Sequence, residues 1–211
     1  GAMARQLAGR LPAESIRTNS LVEKIEAGSI RLSSGENVPS ETTVLACEAP
    51  AAATLLGDQA STSGPGVSCL YFAADEPPIR EPILVLNGDE AGPVNNLCVP
   101  SQLSAKYAPP GQSLISVTVL GIPEASEDIQ TQVSEQLRQW FGAGVDRWRH
   151  LRTYRIPYAL PAQEPPALSP VAKPAKRTDG IFVCGDYLDT ASIQGAMVSG
   201  RRAAEQIIES Q

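Results

Sequence analysis

The 211-residue sequence predicts an α+β protein, in which an antiparallel or mixed sheet with helices is combined with incomplete pieces of a second, parallel-sheet domain. Short runs rich in Val, Ile, Leu, Tyr and Ser occupy the middle of the chain between Pro-, Gly- and Asp-rich turns, which is typical of an antiparallel sheet with one face covered. Near the C-terminal end, a continuous apolar run, a Gly-Asp turn and an amphipathic stretch predict a buried parallel strand followed by a helix.

Runs of apolar side chains predict the first four elements. These are two short strands at 21–25 and 30–32 joined by a turn at 27–28, a third strand at 42–47 and a helix at 51–56. Residues 1–3, Gly-Ala-Met, are typical of a cleaved expression tag and are left out of the fold prediction.

The middle of the chain is predicted to form a sheet followed by a helix. Its extended segments are 67–72, 82–86, 96–100 and 113–120. Apolar residues then recur at helical spacing. They are Ile129, Val133, Leu137 and Trp140 or Phe141, with Ser126 near the helix start.

A further strand is predicted after this helix. Its alternating aromatic and apolar residues are Trp148, Tyr154, Ile156 and Tyr158, and Pro157 and Pro161 indicate an edge strand or an exit from the sheet. Arginines recur between residues 147 and 155, where they either steer an acidic group or form a solvated strand face.

Composition divides the chain into two domains. Residues 161–176, rich in Pro, Ala and Lys, are predicted to be an exposed connector. We therefore expect residues 4–57 and 177–211 to form one domain and residues 58–160 the other.

The C-terminal segment carries the most specific pattern. The apolar strand at 181–183 ends at Gly185 and Asp186, and a helix with a face of small residues begins near Ser192, with Thr190 or Ser192 as its cap. Asp186 is then placed to accept hydrogen bonds from sugar-like hydroxyls, and the helix N-terminus attracts an anion or an electron-rich carbonyl. The alternative is a plain strand-turn-helix unit with an exposed aspartate.

The segment 180–208 resembles the C-terminal flavin motif of the superfamily of FAD-dependent amine oxidases, phytoene desaturases and protoporphyrinogen oxidases. The resemblance implies that Gly185 and Asp186 hold the ribityl or phosphate region of FAD. It also implies that the backbone from Ile193 to Ala196 faces the pyrimidine end of the isoalloxazine.

A second segment, 15–50, resembles the strand, hairpin and apolar strand of the same superfamily. There the resemblance implies that the backbone of Val22 meets the adenine and that Ala46 passes near the flavin. The two ends would then be pieces of a Rossmann-like FAD-binding domain, and the middle a substrate-binding domain.

The glycine-rich half of such an FAD site is missing, because no Gly-x-Gly-x-x-Gly occurs in the 211 residues. We therefore expect a C-terminal fragment of a longer enzyme whose N-terminal nucleotide-binding half is its missing partner. Without the pyrophosphate cradle, the fragment is expected to bind FAD weakly or not at all and to be inactive. Its exposed apolar surface favours self-association.

Pyridine-nucleotide disulfide reductases also carry an apolar strand, Gly-Asp and a helix, but they have a second glycine-rich domain that is absent between Cys47 and Gly185. A sheet-and-helix insertion favours the amine oxidase-like superfamily. Within it, the resemblance places Ser68 at the position of the lysine of amine-oxidising members, and Ser192 at the position of an aromatic cage residue.

Ser68 and Ser192 therefore favour dehydrogenation or desaturation of a hydrophobic polyene or tetrapyrrole-like molecule, by hydride transfer to flavin. Three alternatives remain open: a flavin amine oxidase, a non-catalytic scaffold module and a carrier for a hydrophobic ligand. The pattern identifies no catalytic side chain, which is tolerable where a flavin supplies the chemistry.

Other classes of function are disfavoured by composition. A single histidine, His150, without a Cys or carboxylate cluster predicts no metal site, and no Gly-x-Ser-x-Gly elbow supports a hydrolase triad. A net charge of −6 with scattered basic residues disfavours nucleic acid as a partner.

Four cysteines without paired spacing are typical of a reducing compartment. No apolar run approaches the roughly 18 residues of a membrane-spanning helix. We expect a cytoplasmic protein that can contact a membrane peripherally to collect a greasy substrate.

Overall fold

The computed structural model describes residues 1–26, 28–58, 64–124, 128–167, 169–178 and 180–210. Its strands are β1 (Val22–Glu26), β2 (Ser29–Leu32), β3 (Asn37–Pro39), β4 (Thr43–Leu45), β5 (Val67–Ala74), β6 (Leu84–Leu86), β7 (Val94–Cys98), β8 (Ser113–Leu120), β9 (Arg149–Ile156), β10 (Lys176–Thr178) and β11 (Ile181–Val183). Its α-helices are α1 (Ala2–Ala8), α2 (Ala49–Leu56), α3 (Pro100–Leu103), α4 (Ile129–Phe141) and α5 (Ile193–Glu209).

The chain divides into two compact units, and the mixture of helices with antiparallel and mixed sheets confirms an α+β fold. The first unit combines Gly1–Thr62 with Glu164–Gln211, and the second is Ser63–Gln163. Of residues 1–3, Ala2 and Met3 belong to α1.

The first unit is built around a three-stranded sheet of order β10-β11-β4. Strands β11 and β4 are parallel, as expected for an apolar run that is buried on both faces. Successive residues of β11 point to opposite faces, so Val183 packs with Leu45 and Ala52 of α2, whereas Phe182 packs with Ala203 of α5.

A separate antiparallel sheet of order β1-β2-β3 lies in the same unit. Val22 is paired with Leu32 across the hairpin, and Ile25 packs against the cluster formed by Leu45, Ala52 and Val183. The predicted hairpin is confirmed, although Ala27 of its turn lies outside the described residues. Strand β3, which holds only one apolar side chain besides a proline, was not predicted.

The second unit is a five-stranded antiparallel sheet of order β6-β7-β8-β5-β9, with α4 packed on one face. Side chains of β5 and β8 alternate between buried and half-buried along their lengths. The buried face contributes Leu70, Phe72, Ile115 and Val117, which pack with Val133 and Leu137 of α4. The predicted sheet and helix are therefore confirmed.

The observed ends of strands and helices differ from the predicted ones where a proline ends a strand or a capping residue starts a helix. The predicted strand 96–100 is instead β7, which ends at Cys98, because Pro100 has no N–H for a sheet and begins α3. The start of α4 is fixed by Asp128, whose carboxylate accepts a hydrogen bond from Thr131 N at 3.1 Å. Ser126, predicted to lie near the helix start, lies outside the described residues.

The alternation predicted from Trp148 to Tyr158 is interrupted. Trp148 precedes β9 and packs against the α4-side core beside Phe72, with ring centroids 6.1 Å apart. A register shift opposite Tyr71 and Phe72 then moves Tyr154 to the other face of the sheet. Sequence periodicity cannot anticipate such a bulge, because it assumes an unbroken period of two residues.

Candidate functional site

The carboxyl ends of β4 and β11 lie side by side and bring together three of the residues predicted to bind flavin. Leu45 is paired with Val183, and Cys184 N donates a hydrogen bond to Leu45 O at 2.9 Å. Ala46, which is exposed, and the Gly185-Asp186 turn follow directly. The carboxyl edge of a parallel sheet is where ligands bind in open α/β folds.

Gly185 begins a tight turn that continues through the short 3-10 helix Asp186–Leu188. Its N–H donates to the hydroxyl of the fully buried Ser199 at 3.2 Å, which fixes the strand end to α5. A Cβ at Gly185 would lie 2.8 Å from Cδ1 of Tyr187, so any larger residue would displace that ring. The turn therefore requires glycine for packing.

Two aspartates of this turn have different surroundings. The Asp189 carboxylate receives Arg202 Nη1 at 2.8 Å, and Arg202 Nη2 also donates to Leu188 O at 2.7 Å. The bond from Arg202, together with that from Thr190 N, lowers the pKa of Asp189. By contrast, the half-buried Asp186 carboxylate accepts no hydrogen bond from the part of the chain that the structure describes, so it is available to a ligand.

The N-terminus of α5 follows this turn. Ser192 is its cap, since the hydroxyl accepts from Gly195 N at 3.0 Å, which confirms one of the two predicted capping residues. The N–H groups of Ile193 and Gln194 donate to no residue within the described ranges. They form the free, partially positive end of a 17-residue helix.

Of the other predicted cofactor-binding residues, Ile193 and Ala196 lie in the first turn of α5, exposed and half-buried respectively. Val22 is not brought into the same sheet as Ala46 and Gly185, because β1 pairs only with β2. The ion pair of Asp189 with Arg202 was missed by sequence reasoning, since a spacing of 13 residues across a turn has no sequence signature.

In the second unit, α4 packs on one face of the sheet, and the side chains of the other face are half-buried or exposed among the described residues. Paired residues of neighbouring antiparallel strands point to the same face of the sheet. Following the pairs from strand to strand gives two rows of side chains that each cross all five strands. One row is Leu84, Cys98, Ser116, Tyr71 and Arg152, and the other is Leu86, Asn96, Thr118, Cys69 and Tyr154. We call these ten residues the open face.

The centre and one end of the open face are linked by side-chain contacts. Cys69 Sγ lies 3.4 Å from Ser116 Oγ, and the rings of Tyr71 and Tyr154 meet edge to face at 5.8 Å. The guanidinium of Arg152 lies 4.9 Å from the centroid of the Tyr154 ring. The hydrogen bond with Cys69 and burial raise the pKa of Tyr71, and burial raises that of the Cys98 thiol, so both groups stay neutral.

Ser68 does not lie on the open face. It is fully buried on the α4 side, where its hydroxyl donates to Gly121 O at 3.2 Å. The Ser68 side chain therefore does not reach the open face, and its comparison with the lysine position of amine-oxidising enzymes stays a prediction. The residues of β5 that face outward are Val67, Cys69, Tyr71 and Ala73, of which Cys69 and Tyr71 belong to the open face.

The described residues contain no group of three or more His, Cys, Asp or Glu that could hold a metal ion. His150 is occupied by Thr153, with Nε2 and Oγ1 2.9 Å apart. All four cysteines are unpaired thiols. Among the described helices, none combines the length and apolar character needed to span a bilayer.

Comparison with solved structures gives the same fold. An oxidoreductase from Methanosarcina mazei has 17% sequence identity and a TM-score of 0.64, over 88% of this chain and 48% of that one. Reduced UDP-galactopyranose mutase has 12% identity and a TM-score of 0.70, over 100% of this chain and 52% of that one. The chain thus spans about half the length of these proteins.

No match is found among curated proteins. The family profile of flavin containing amine oxidoreductases, in contrast, matches residues 1–208. That match covers nearly the whole chain, including the turn at Asp186 and the open face. The chain therefore belongs to the flavin-containing amine oxidoreductase family.

Proposed function

We propose that this chain is part of an FAD-dependent oxidoreductase that dehydrogenates or desaturates a hydrophobic small molecule, with a polyene or tetrapyrrole-like body. The substrate would lose a hydride to the flavin and a proton to solvent or a nearby base, and the flavin would be reduced. The observation that carries this proposal is the unpartnered Asp186 beside the free amides of α5, at the edge where β4 and β11 end.

The residues present fit the flavin end of such a cofactor. The Asp186 carboxylate would accept hydrogen bonds from ribityl hydroxyls, and the first amides of α5, from Ile193 onward, would donate to a ring carbonyl. Gly185, Ala46 and Ala196 would leave the backbone accessible because their side chains are small or absent. When bound, the flavin supplies the redox chemistry.

The adenine and pyrophosphate of FAD would be bound mostly by residues outside this chain. Within this chain, Val22 would contact the adenine. No Gly-x-Gly-x-x-Gly occurs in the sequence to cradle the two phosphates. We therefore propose that the chain alone binds FAD weakly and is inactive, and that a glycine-rich nucleotide-binding half is its partner.

The open face is the proposed substrate surface. Its strands carry no Asp, Glu or Lys, and the arginines of the five strands all lie on β9. A protonated amine would find no carboxylate there and would be repelled by Arg152. This charge distribution favours a substrate that is oxidised at carbon over an amine, and it does not depend on the comparison of Ser68 with the lysine position.

Ser192 supports the same preference. Its hydroxyl is used as the cap of α5, so the position before the helix carries no aromatic wall for a substrate nitrogen. Amine oxidation remains the alternative outcome of the test below.

Anaerobic flavin bleaching tests this function. The chain, combined with a glycine-rich nucleotide-binding half and FAD, is mixed with a polyene, a porphyrinogen or a primary amine. We expect one of the hydrophobic compounds to bleach the flavin and the amine to leave it oxidised. Bleaching by the amine alone would establish an amine oxidase, and tight polyene binding without any flavin reduction would establish a carrier.

A further inference from the structure

We propose that the open face binds an amphipathic anion, with the carboxylate of the ligand at Arg152 and its apolar body lying toward Leu84 and Leu86. The identification of this ligand with the enzyme's substrate rests on the proposed function. Binding itself needs no flavin, so it can be tested on the chain as it is.

The first argument is the order of side chains across the sheet. Leu84 and Leu86 occupy the β6 edge with 57% and 67% of their surfaces exposed. Small polar or thiol side chains follow on the next strands, and the β9 end carries Arg152 with Tyr154 and, one strand inward, Tyr71. Along these two rows the side chains therefore change from hydrocarbon at β6 to cation at β9, beside an apolar row of Val67, Leu120 and Ile156 on the same face.

The second argument is length. Four steps of about 4.8 Å between five strands place the two ends of each row roughly 19 Å apart. An elongated molecule with an apolar body and one acidic end matches this spacing, whereas a compact ligand would reach only one end.

The third argument is the state of Arg152. Its guanidinium is exposed, stacks over Tyr154, and forms no ion pair with any residue in the described ranges. Stacking on an aromatic ring orients the planar group while leaving its N–H donors free for a carboxylate. Because none of the five strands carries an acidic residue, an incoming carboxylate has no competitor on the sheet.

The neutral centre is consistent with the same ligand. Tyr71 remains protonated, because its pKa is raised, and can offer an uncharged surface beside the apolar part of the ligand. A neutral polyene would leave the oriented Arg152 unused, and an ammonium group would be repelled by it.

Retinoic acid and retinol provide the test, because they share one polyene and differ at the head group. Each is titrated into the chain, and quenching of tryptophan and tyrosine fluorescence gives its dissociation constant. We expect retinoic acid to bind at least about 10-fold more tightly than retinol, which corresponds to about 1.4 kcal/mol. Arg152→Gln should remove most of this preference.

Two variants separate the parts of the site. Arg138→Gln, on α4, removes an arginine that pairs with Asp146 at 3.2 Å and should leave the preference unchanged. Leu86→Asn should weaken both probes while keeping the preference for the acid. All three positions are exposed on the surface, and thermal melting confirms that each variant folds.

Equal affinity for the two probes, or no binding of either, would overturn the proposal. So would an equal effect of Arg138→Gln and Arg152→Gln. Binding that depends on Arg152 but occurs only with phosphatidylglycerol vesicles would also overturn it, because a lipid surface would then be the ligand. A retained preference for retinoic acid without flavin bleaching would contradict the proposed function alone, and the reverse result would contradict this inference alone.

Discussion

Asp186 and Asp189 show how position within one turn separates a structural carboxylate from an available one. Asp189 is held by Arg202 with only 13% of its side-chain surface exposed, whereas Asp186 has no partner among the described residues. Both follow the same strand in sequence. Only the fold of the turn assigns their different environments.

Loss of the Asp189 ion pair should destabilise the chain in a pH-dependent way. The pKa of Asp189 is depressed in the folded state, so its contribution is present above the unfolded pKa, about 3.9, and is lost as pH falls through the folded value. Asp189→Asn should lower Tm at neutral pH, and its difference from the wild type should shrink only below about pH 4 and vanish once the pH is below the lowered folded pKa. Arg201→Gln, whose exposed pair with Glu205 is 3.5 Å long, should barely change Tm.

Asp186→Asn should affect FAD binding rather than the stability of the chain. With no partner to lose, the substitution should change the free energy of unfolding by less than about 0.5 kcal/mol. In protein combined with the nucleotide-binding half, it should weaken FAD binding by about 10-fold, because a charge-assisted acceptor becomes a neutral one. Fluorescence titration with FAD measures this change, and an unchanged dissociation constant would remove Asp186 from the site.

At the scale of elements, α5 depends on one glycine and tolerates replacement of another. A Cβ at Gly195 would collide with the carbonyl oxygen of Thr190, whereas a Cβ at Gly200 meets no atom within 4 Å. Gly195→Ala should destabilise the chain by about 1–3 kcal/mol through overpacking. Gly200→Ala should stabilise it by up to about 1 kcal/mol, because alanine favours the helix.

Urea unfolding of the two glycine variants checks this prediction. Equal changes in the free energy of unfolding would show that the start of α5 does not rest on Thr190 as described. The control is internal, since both substitutions add one methyl group to the same helix.

Elements with a strong period were predictable from sequence. Strand β8 and helix α4 follow uninterrupted alternation or helical spacing, and their buried residues lie where the apolar residues indicate. Helix α5 was predicted as an element, but it buries the small residues Gly195, Ser199 and Ala203 rather than its large apolar side chains. Strand β10, Lys176–Thr178, is entirely polar and exposed and forms only by pairing with β11. Its existence depends on a tertiary partner, which no local pattern contains.

Sites were less predictable than elements because strand facing sets the chemistry. Adjacent residues Ser68 and Cys69 lie on opposite faces of β5, so a one-residue difference in alignment moves a side chain from the core to the open face. Gly185 and Asp186 were found by their turn. The two rows of the open face required the register of five strands, which the sequence does not state.

At the scale of the whole molecule, exposed apolar side chains remain along α5. Ile193, Met197 and Ile208 are 66%, 53% and 72% exposed. We predict that the chain self-associates, because covering apolar surface removes it from water and lowers the free energy. Analytical ultracentrifugation should show mass increasing with concentration, and a double variant, Ile193→Ser with Ile208→Ser, should reduce the association. A clean monomer at high concentration would contradict the prediction.

Flavin content per chain tests the central claim most directly. It is measured from visible absorbance after purification, first for the chain alone and then after combination with a glycine-rich nucleotide-binding half and FAD. We predict little flavin in the chain alone and close to one flavin per chain in the combined protein. Asp186→Asn should lower the flavin content of the combined protein. Stoichiometric flavin in the chain alone, or none in a correctly folded combined protein, would contradict our proposal that this chain supplies only the flavin end of the cofactor site of an FAD-dependent oxidoreductase.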